Sequence, residues 1–466
     1  MRDQINARNP RTGVYDYAFQ PPTKIKLEKI AAGMRKAQVG WASLSLAQRC
    51  DTMLALCSAL DHHRDEIIAR LSDDTGRQEM SIAELEGVIG ITRMHCATAS
   101  RTLEGIAGQS GSDPSLSYQQ QYVPLPLVGI ISPWNYPLIL CMIDAITALI
   151  AGCAVLVKPS EVTPRFIPAF RSAIAEVDAL HNVLVIIEGG GEVGGDVIDL
   201  TDTLVFTGSV PTGKIVQQRA AEQFKTAFLE LGGNDAAVVL AGADAEVAAE
   251  IIVRGSIENS GQLCCAIERI YADKDIVDDV SDAVVRRMQG LKMNTASIDD
   301  GELGPVIFEK QAQVLQNQLN DALKKGAKVL FGGKIITSGG GLWCEPTVLA
   351  NVDHTMKIMQ DETFGPIVPI MAFDSTEQAI NLANDTIFGL SATVIGDEND
   401  AVHIGKQLNA GGVWINDFDT MGGVGDRAEK TAFGVSGLGG SRYGPGGFMR
   451  FVRKKALVVR SRKSAA

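Results

Sequence analysis

The sequence predicts an α/β protein of at least two domains, built on parallel strands with crossover helices, and three observations carry that prediction. At 466 residues the chain exceeds what one hydrophobic core usually serves. From Lys24 to about Gly105 apolar residues recur at helical spacing, through Leu27, Ile30 and Met34 and then Leu54, Ala55, Leu60, Ile67, Ile68 and Leu71, which predicts a helical N-terminal layer. Beyond it, short apolar runs alternate with helix-compatible stretches, the pattern of parallel strands joined by crossovers.

Taken in order, the composition shifts to Gly, Ser, Asp and Pro between Gly108 and Ser117, a loop signal. The stretch LSYQQQYVPLPLVGII then reads as extended chain, with Pro124 and Pro126 keeping part of it out of any central sheet position. A first strand series follows at residues 127–131, 154–157, 183–187 and 204–206, each run preceding a turn and a helical stretch. A second series starts after LELGGN, at 236–240, 269–272, 328–331, 367–372 and 413–416. Residues 448–460 read as a terminal strand behind the Gly-rich GVSGLGGSRYGPGG. Residues 138–157 are apolar and long enough to span a bilayer, but Asp144 near the middle, Gly152, Pro137 and Pro159 predict a buried helix followed by a buried strand.

Composition removes several function classes. With 45% hydrophobic and 21% charged residues the chain is an ordinary folded enzyme by composition and not a disordered one. A net charge of −12 argues against a nucleic acid as partner, because such binding draws on excess Lys and Arg. The 8 cysteines form neither a dense disulfide framework nor a CxxC pair, so a reducing cytoplasm is expected and no metal site. Residues 1–22 are polar and Pro-punctuated, without a signal-peptide pattern, and no membrane association is expected.

Two glycine loops compete for a phosphate. VLVIIEGGGEVGG holds a formal G-x-G-x-x-G at Gly189, Gly191 and Gly194, which is also what a tight strand-to-helix turn looks like. In LVFTGSVPTGKIV, a strand runs into Gly208-Ser209 and then Gly213 and a helix, so backbone N–H groups and a helix N-terminus can face a pyrophosphate. Lys158 and Glu161 of KPSE sit just past a strand end, where open α/β sheets bind ligands; there an ammonium and a carboxylate can pair with ribose hydroxyls. An isolated K-x-x-E is more commonly a surface ion pair.

The stretch ENSGQLCCAIERI places two thiols, Cys264 and Cys265, behind a Gly-Gln turn. None of the six histidines forms a motif beside them, so the candidate base is Glu230 of FLELGGN, at the end of an apolar strand beside flexible glycines. Partial desolvation there would favour a usable base, and an ordinary strand-end acid is the plain alternative.

SPWNYPL (132–138), KPSE (158–161), FTGS (206–209), LELGG (229–233), SGQLCC (260–265), ETFGP (362–366) and VWIN (413–416) follow one another as they do in the NAD(P)-dependent aldehyde dehydrogenase superfamily, which the chain resembles over nearly its whole length. The resemblance implies a Rossmann-type cofactor domain plus an α/β catalytic domain and a β oligomerisation arm. On that pattern residues 1–114 and 128–231 bind NAD, 232–447 form the catalytic domain, and 115–127 with 448–466 form the arm. It implies Cys264 as nucleophile, Glu230 as base, and Asn135 with the Cys264 N–H as oxyanion donors. The thiolate would attack an aldehyde carbon, hydride would leave to the nicotinamide, and Glu230 would activate water against the thioester.

For the cofactor the resemblance favours Gly208, Ser209 and Gly213 at the pyrophosphate. It also implies Ile131, Ser132, Pro133 and Trp134 as wall, Lys158 and Glu161 on the adenosine ribose, Leu231 by the nicotinamide, and Glu362 with Phe364 around its ribose. Glu161 would repel a 2′-phosphate, so NAD is expected over NADP. Tyr136, Leu140, Ile143, Leu263, Cys265 and Phe418 fall along the implied substrate passage. No Arg or Lys is among them, which favours an apolar or aromatic aldehyde over an acidic semialdehyde. The implied arm predicts a homodimer or homotetramer.

The alternatives are a CoA-acylating relative, a thiol esterase without redox chemistry, and an idle member of the fold. Three features depart from the family pattern: Asn234 where Lys is common, a shortened EVDALHNVLVI loop, and an approximate C-terminal signature in FGVSGLGGSRYG.

Overall fold

The computed structural model describes residues 2–425 and 427–461. Strands Leu127–Ile131, Ala154–Lys158, Leu184–Ile186, Thr203–Thr207 and Thr226–Glu230 form five parallel members of a six-stranded sheet. The sixth, Gly437–Leu438, closes one edge antiparallel to Glu230 and Leu229. Side chains alternate across this sheet as the strand period requires. Leu127, Ile131, Ala154 and Leu156 pack with Leu27 and Met34 on one face. Val128, Ile130, Val155 and Val157 face the helical layer that includes Met53, Leu56, Leu85 and Val88. Each such Val, Ile or Leu contributes about 1.5–3 kcal/mol relative to exposure.

The N-terminal helices Lys24–Ser43, Leu46–His62, Arg64–Thr75 and Gln78–Thr98 follow the predicted apolar spacing. Ser45 caps the second by accepting from the Gln48 N–H, while the Gln48 side chain accepts from the Ser45 N–H. The apolar stretch at 138–157 is helix Ile139–Ala151 followed by strand Ala154–Lys158. Gly152 makes the reversal at φ 102. Among the described residues no helix is long and apolar enough to cross a membrane.

A seven-stranded sheet takes the second series, in the order Lys328–Phe331, Thr347–Ala350, Ile367–Phe373, Ile267–Asp273, Asp235–Val239, Ser391–Ile395 and Gly412–Ile415. Thr347–Ala350 and Ser391–Ile395 were not expected from the sequence: both are short and buried on both faces, so neither shows alternation. Lys328–Phe331 is an antiparallel edge strand, where the alternating pattern predicts a parallel one. A hairpin of Ile5–Arg8 and Tyr15–Phe19 was also unforeseen.

The last segment divides differently from the predicted single strand. Pro445 starts a short helix, Gly444–Met449, and the strand is Val452–Arg460. That strand pairs antiparallel along Leu116–Pro124 from Val452 opposite Pro124 to Arg460 opposite Leu116. Ala107–Gln109 pairs with the other side of Leu116–Pro124, which makes the latter the middle strand of three. Pro124 fits there because it lies beyond the reach of Ala107–Gln109. Leu457, Val458, Val459 and Tyr118 are exposed on this ribbon.

Candidate active site

Strand Leu127–Ile131 lies between Ala154–Lys158 and Thr203–Thr207, so the strand order reverses there and a cleft opens beyond the carboxyl ends. A cavity of about 650 Å³ occupies that cleft. Ile131, Ser132, Pro133 and Trp134 line it from the first strand's end, and Lys158 and Glu161 from the second. Gly208, Ser209 and Leu231 follow on the other side, and Glu362 and Phe364 face them. Gly213 does not line the cavity. A Cβ there would meet Leu231 at 2.7 Å, so its place in the helix lets Leu231 pack close.

Gly191 and Gly194 line the same cavity as Gly208 and Ser209. The two glycine loops are therefore parts of one wall rather than competitors. Helices Gly191–Leu200 and Val210–Ala221 both begin at it, and neither has a side-chain cap on its first N–H groups. Two uncapped helix N-termini and a buried ammonium suit an anionic diphosphate. Lys158 Nζ donates to the Gly189 carbonyl at 2.7 Å and to Pro159 O at 2.9 Å, and stands 3.3 Å from Glu161 Oε2. Burial lowers its affinity for the proton, which Glu161 partly restores.

Cys264, Asn135 and Glu230 open onto this cavity as well. The loop before the thiol has three successive left-handed residues, Asn259, Ser260 and Gly261, at φ 56, 55 and 69. A Cβ at Gly261 would lie 2.3 Å from the Gly365 carbonyl carbon, so only glycine fits against the ETFGP loop. Gln262 is fully engaged: Nε2 donates to Asn259 O and Pro305 O, and Oε1 accepts from the Ile307 N–H. Asn135 Nδ2 donates one hydrogen to the Gln262 carbonyl at 3.0 Å, leaving its second for another acceptor. Its backbone carbonyl accepts from Arg77 Nη2 and Asn259 Nδ2. Among the described residues the Cys264 N–H has no hydrogen-bond partner.

Cys264 is half-buried. The adjoining Cys265 thiol lowers its pKa, against the effect of burial and helped by Lys430 and Arg442, while Cys265 Sγ itself lies 3.8 Å from Asp419 Oδ2. Cys265 moves the opposite way, held neutral by its neighbour's charge and by burial. Glu362 Oε1 accepts from the Gly233 N–H at 3.2 Å, and burial with the nearby Cys264 charge pushes its carboxyl up to about 8. Beneath it the buried Glu268 accepts from the Thr363 and Phe364 N–H groups at 2.8 and 2.7 Å, which fixes the ETFGP turn. Asn234, one of the departures, donates to Asp361 O at 2.7 Å and so holds the same turn. Trp134 stands edge-on to Phe364, with ring centres 5.4 Å apart.

Of the passage positions, Leu140 alone lines this cavity. Tyr136 is buried, its hydroxyl donating to Glu258 Oε1 at 3.1 Å. Cys265 and Phe418 join a core cluster against which Leu263 and Cys264 pack, and Ile143 is half-buried on its helix. Sequence reasoning missed Lys430, whose ammonium lies over the rings of Trp414 and Tyr443 at 5.5 and 5.8 Å and acts on both thiols. Nothing in RAEKTAF marks it, since its place depends on the fold of a loop. The six implied passage positions hold no Arg or Lys, and Lys430 adds a cation near the thiols from outside that set.

Residues 1–457 match the family model described as Aldehyde dehydrogenase family. A relative from Mycobacterium ulcerans (strain Agy99), named Putative succinate-semialdehyde dehydrogenase (NADP(+)) 2, is 32% identical, the match covering 98% of this chain and 89% of that one. Among solved structures, the putative aldehyde dehydrogenase PutA from Anabaena variabilis is 43% identical at TM-score 0.97, covering 100% of this chain and 99% of that one. A betaine aldehyde dehydrogenase from Staphylococcus aureus, solved with NAD+, is 29% identical at TM-score 0.92, with 99% and 92% covered.

The electrostatics around the thiol pair predict how alkylation responds to pH. Iodoacetamide labelling of Cys264, followed by peptide mass spectrometry, has its midpoint below the value of about 8.5 for a free thiol. Lys430→Met moves that midpoint up, because one stabilising cation is removed.

Proposed function

The chain belongs to the aldehyde dehydrogenase family, and from that membership we propose how its residues oxidise an aldehyde to the carboxylic acid. The observation that carries the reading is the opening of Cys264, Asn135 and Glu230 onto one cavity with Lys158, Gly208 and Glu362. The Cys264 thiolate bonds to the aldehyde carbon, and the carbonyl electron pair moves to oxygen. That oxyanion accepts from the second Asn135 Nδ2 hydrogen and from the Cys264 N–H. A nicotinamide dinucleotide, when bound, supplies the hydride acceptor, and a thioester is left on sulfur. Glu230 then takes a proton from water as the water oxygen bonds to the thioester carbon; the C–S bond breaks and sulfur keeps its pair as thiolate.

Lys158, Glu161, Gly208, Ser209, Leu231, Glu362 and Phe364 are proposed to hold the dinucleotide, with Gly191 and Gly194 added at its phosphates. NAD is the proposed cofactor, because the Glu161 carboxylate beside Lys158 disfavours a third phosphate. The two sheets are proposed as the cofactor and catalytic domains divided near residue 231. A cytoplasmic setting is supported by the free cysteines.

For the substrate, Leu140 in the cavity wall favours an aldehyde with an apolar or aromatic body, in line with Tyr136 and Phe418 at the passage positions that the family resemblance implies. Lys430 favours a second reading, an acidic semialdehyde, and the name of the Mycobacterium ulcerans relative agrees with it. The exposed ribbon of Leu116–Pro124 and Val452–Arg460 is proposed to pair across subunits in a dimer or tetramer.

Three measurements check these readings. Absorbance of the reduced cofactor across aromatic, long aliphatic and acidic aldehydes should show turnover, abolished in Cys264→Ala and lowered about 100- to 1000-fold in Asn135→Ala. Turnover that requires CoA instead of water would replace the hydrolytic step. With Glu161→Ser the ratio of kcat/KM for NADP to that for NAD should rise at least about tenfold, as removing a charge repulsion of over 1 kcal/mol would do. Light scattering should give a mass that is a multiple of 49.7 kDa, and a mass of one chain would exclude the proposed pairing.

A further inference from the structure

Glu230 ends strand Thr226–Glu230 with two arginines against its carboxylate. Its Oε1 lies 3.3 Å from Arg450 Nη2 and 3.5 Å from Arg442 Nε. Both guanidiniums are buried, and both are anchored from behind by Asp144, which projects from the middle of the apolar helix Ile139–Ala151. Asp144 Oδ2 accepts from Arg442 Nη2 at 2.6 Å and Oδ1 accepts from Arg450 Nη1 at 2.9 Å. Thr207 Oγ1 accepts from Arg442 Nη2 at 3.0 Å, and Arg450 lies 4.5 Å over the Phe228 ring. Two buried cations thus lie between the buried Asp144 and the half-buried Glu230, with Tyr443 beside Arg442, and Arg442 also acts on Cys264, which Lys430 and Asp235 face too.

The contacts differ in kind. Asp144 is fixed by hydrogen bonds, whereas Arg442 Nε, Arg450 Nε and Arg450 Nη2 are buried without one. Glu230 is therefore held by charge at ion-pair distance and not locked by geometry, which leaves it free to turn toward water on the thioester.

We propose that Arg442 and Arg450, set in place by Asp144, are positioning residues that hold the Glu230 carboxylate by charge beside the site, ready to accept the proton of the hydrolytic water. The inference rests on Glu230 being the base for thioester hydrolysis. A carboxylate at a half-buried strand end loses water around it, and the two arginines replace that solvation. Asp144 spends part of their charge, so the cluster as a whole stays neutral.

Charge balance makes the test one of sign. With p-nitrophenyl acetate, the burst of p-nitrophenol reports acylation of Cys264 and the steady rate reports hydrolysis of the acyl-enzyme, each followed against pH at constant folded fraction. Arg450→Met should move the acid limb of the hydrolysis rate up by about one pH unit, a tenfold loss at the foot of the limb, and leave the burst in place. Arg450→Lys should restore most of that limb. Asp144→Asn frees both cations for Glu230 and should move the limb down, while the double variant Asp144→Asn with Arg450→Met returns it toward the parent position. Equal loss at every pH in both single variants, with the limb unmoved, would overturn the proposal. Glu230→Gln separates the two layers of the argument: hydrolysis at the parent rate in that variant removes the base assignment itself, and its loss together with an unmoved limb in the arginine variants removes only the clamp.

Discussion

The left-handed turn at Asn259, Ser260 and Gly261 is the constraint on which the candidate site depends, because it places Cys264 relative to both sheets at once. Non-glycine residues in that conformation cost about 1–3 kcal/mol each, so the turn persists only where its surroundings enforce it. Here they do. The Gln262 carbonyl accepts from Asn135 and Asn259, the Gln262 side chain spans to Pro305 and Ile307, and Gly261 lies against Gly365. Nucleophile, amide donor and the ETFGP turn are consequently one rigid frame. Proximity of reacting groups depends on such rigidity more than on any single contact.

Electrostatics follow the same frame. Two of the charges near the cavity stand beside an answering group: Lys158 with Glu161, and Glu230 with two arginines that Asp144 balances. Glu268 and Glu362 have no cation to answer them, and burial raises both carboxyls, that of Glu362 to about 8 with the Cys264 charge nearby. An isolated charge in this interior would instead neutralise. Pairing keeps ionised groups available where water is scarce.

Local pattern was legible in the sequence, and distant pairing was not. Strands with both faces buried announced themselves where the apolar run was bounded by turn residues, as at Leu127–Ile131 and Ala154–Lys158. Ser391–Ile395 lies between Gly389 and Gly396, but its Ser, Ala and Thr interrupt the apolar run, and it escaped. The family resemblance implied Cys264, Asn135 and most of the cavity wall, and the strand ends of a parallel sheet explain why much of that wall meets in one cleft. The opposition between the two glycine loops arose because a sequence shows each loop singly, whereas adjacent strand ends share a cleft. Lys430 had no signature, since a cation over two rings is defined by those rings and they lie 16 and 13 residues from it along the chain, at Trp414 and Tyr443.

Asp144 shows where the boundary of legibility falls. An acid amid the apolar residues of helix Ile139–Ala151 calls for an answering group in the interior, because burial without one favours the protonated carboxyl. The sequence offers 43 lysines and arginines and no rule for choosing among them. The choice is made by the last turn of the chain, where the approximate signature GVSGLGGSRYG brings strand Gly437–Leu438 beside Glu230 and carries Arg442 and Arg450 onto Asp144 across separations of 298 and 306 residues. The departure from the family pattern and the lone acid in an apolar helix are therefore two halves of one arrangement. Either half read alone looks like a blemish, and only their meeting at the strand end of Glu230 gives both a physical reason.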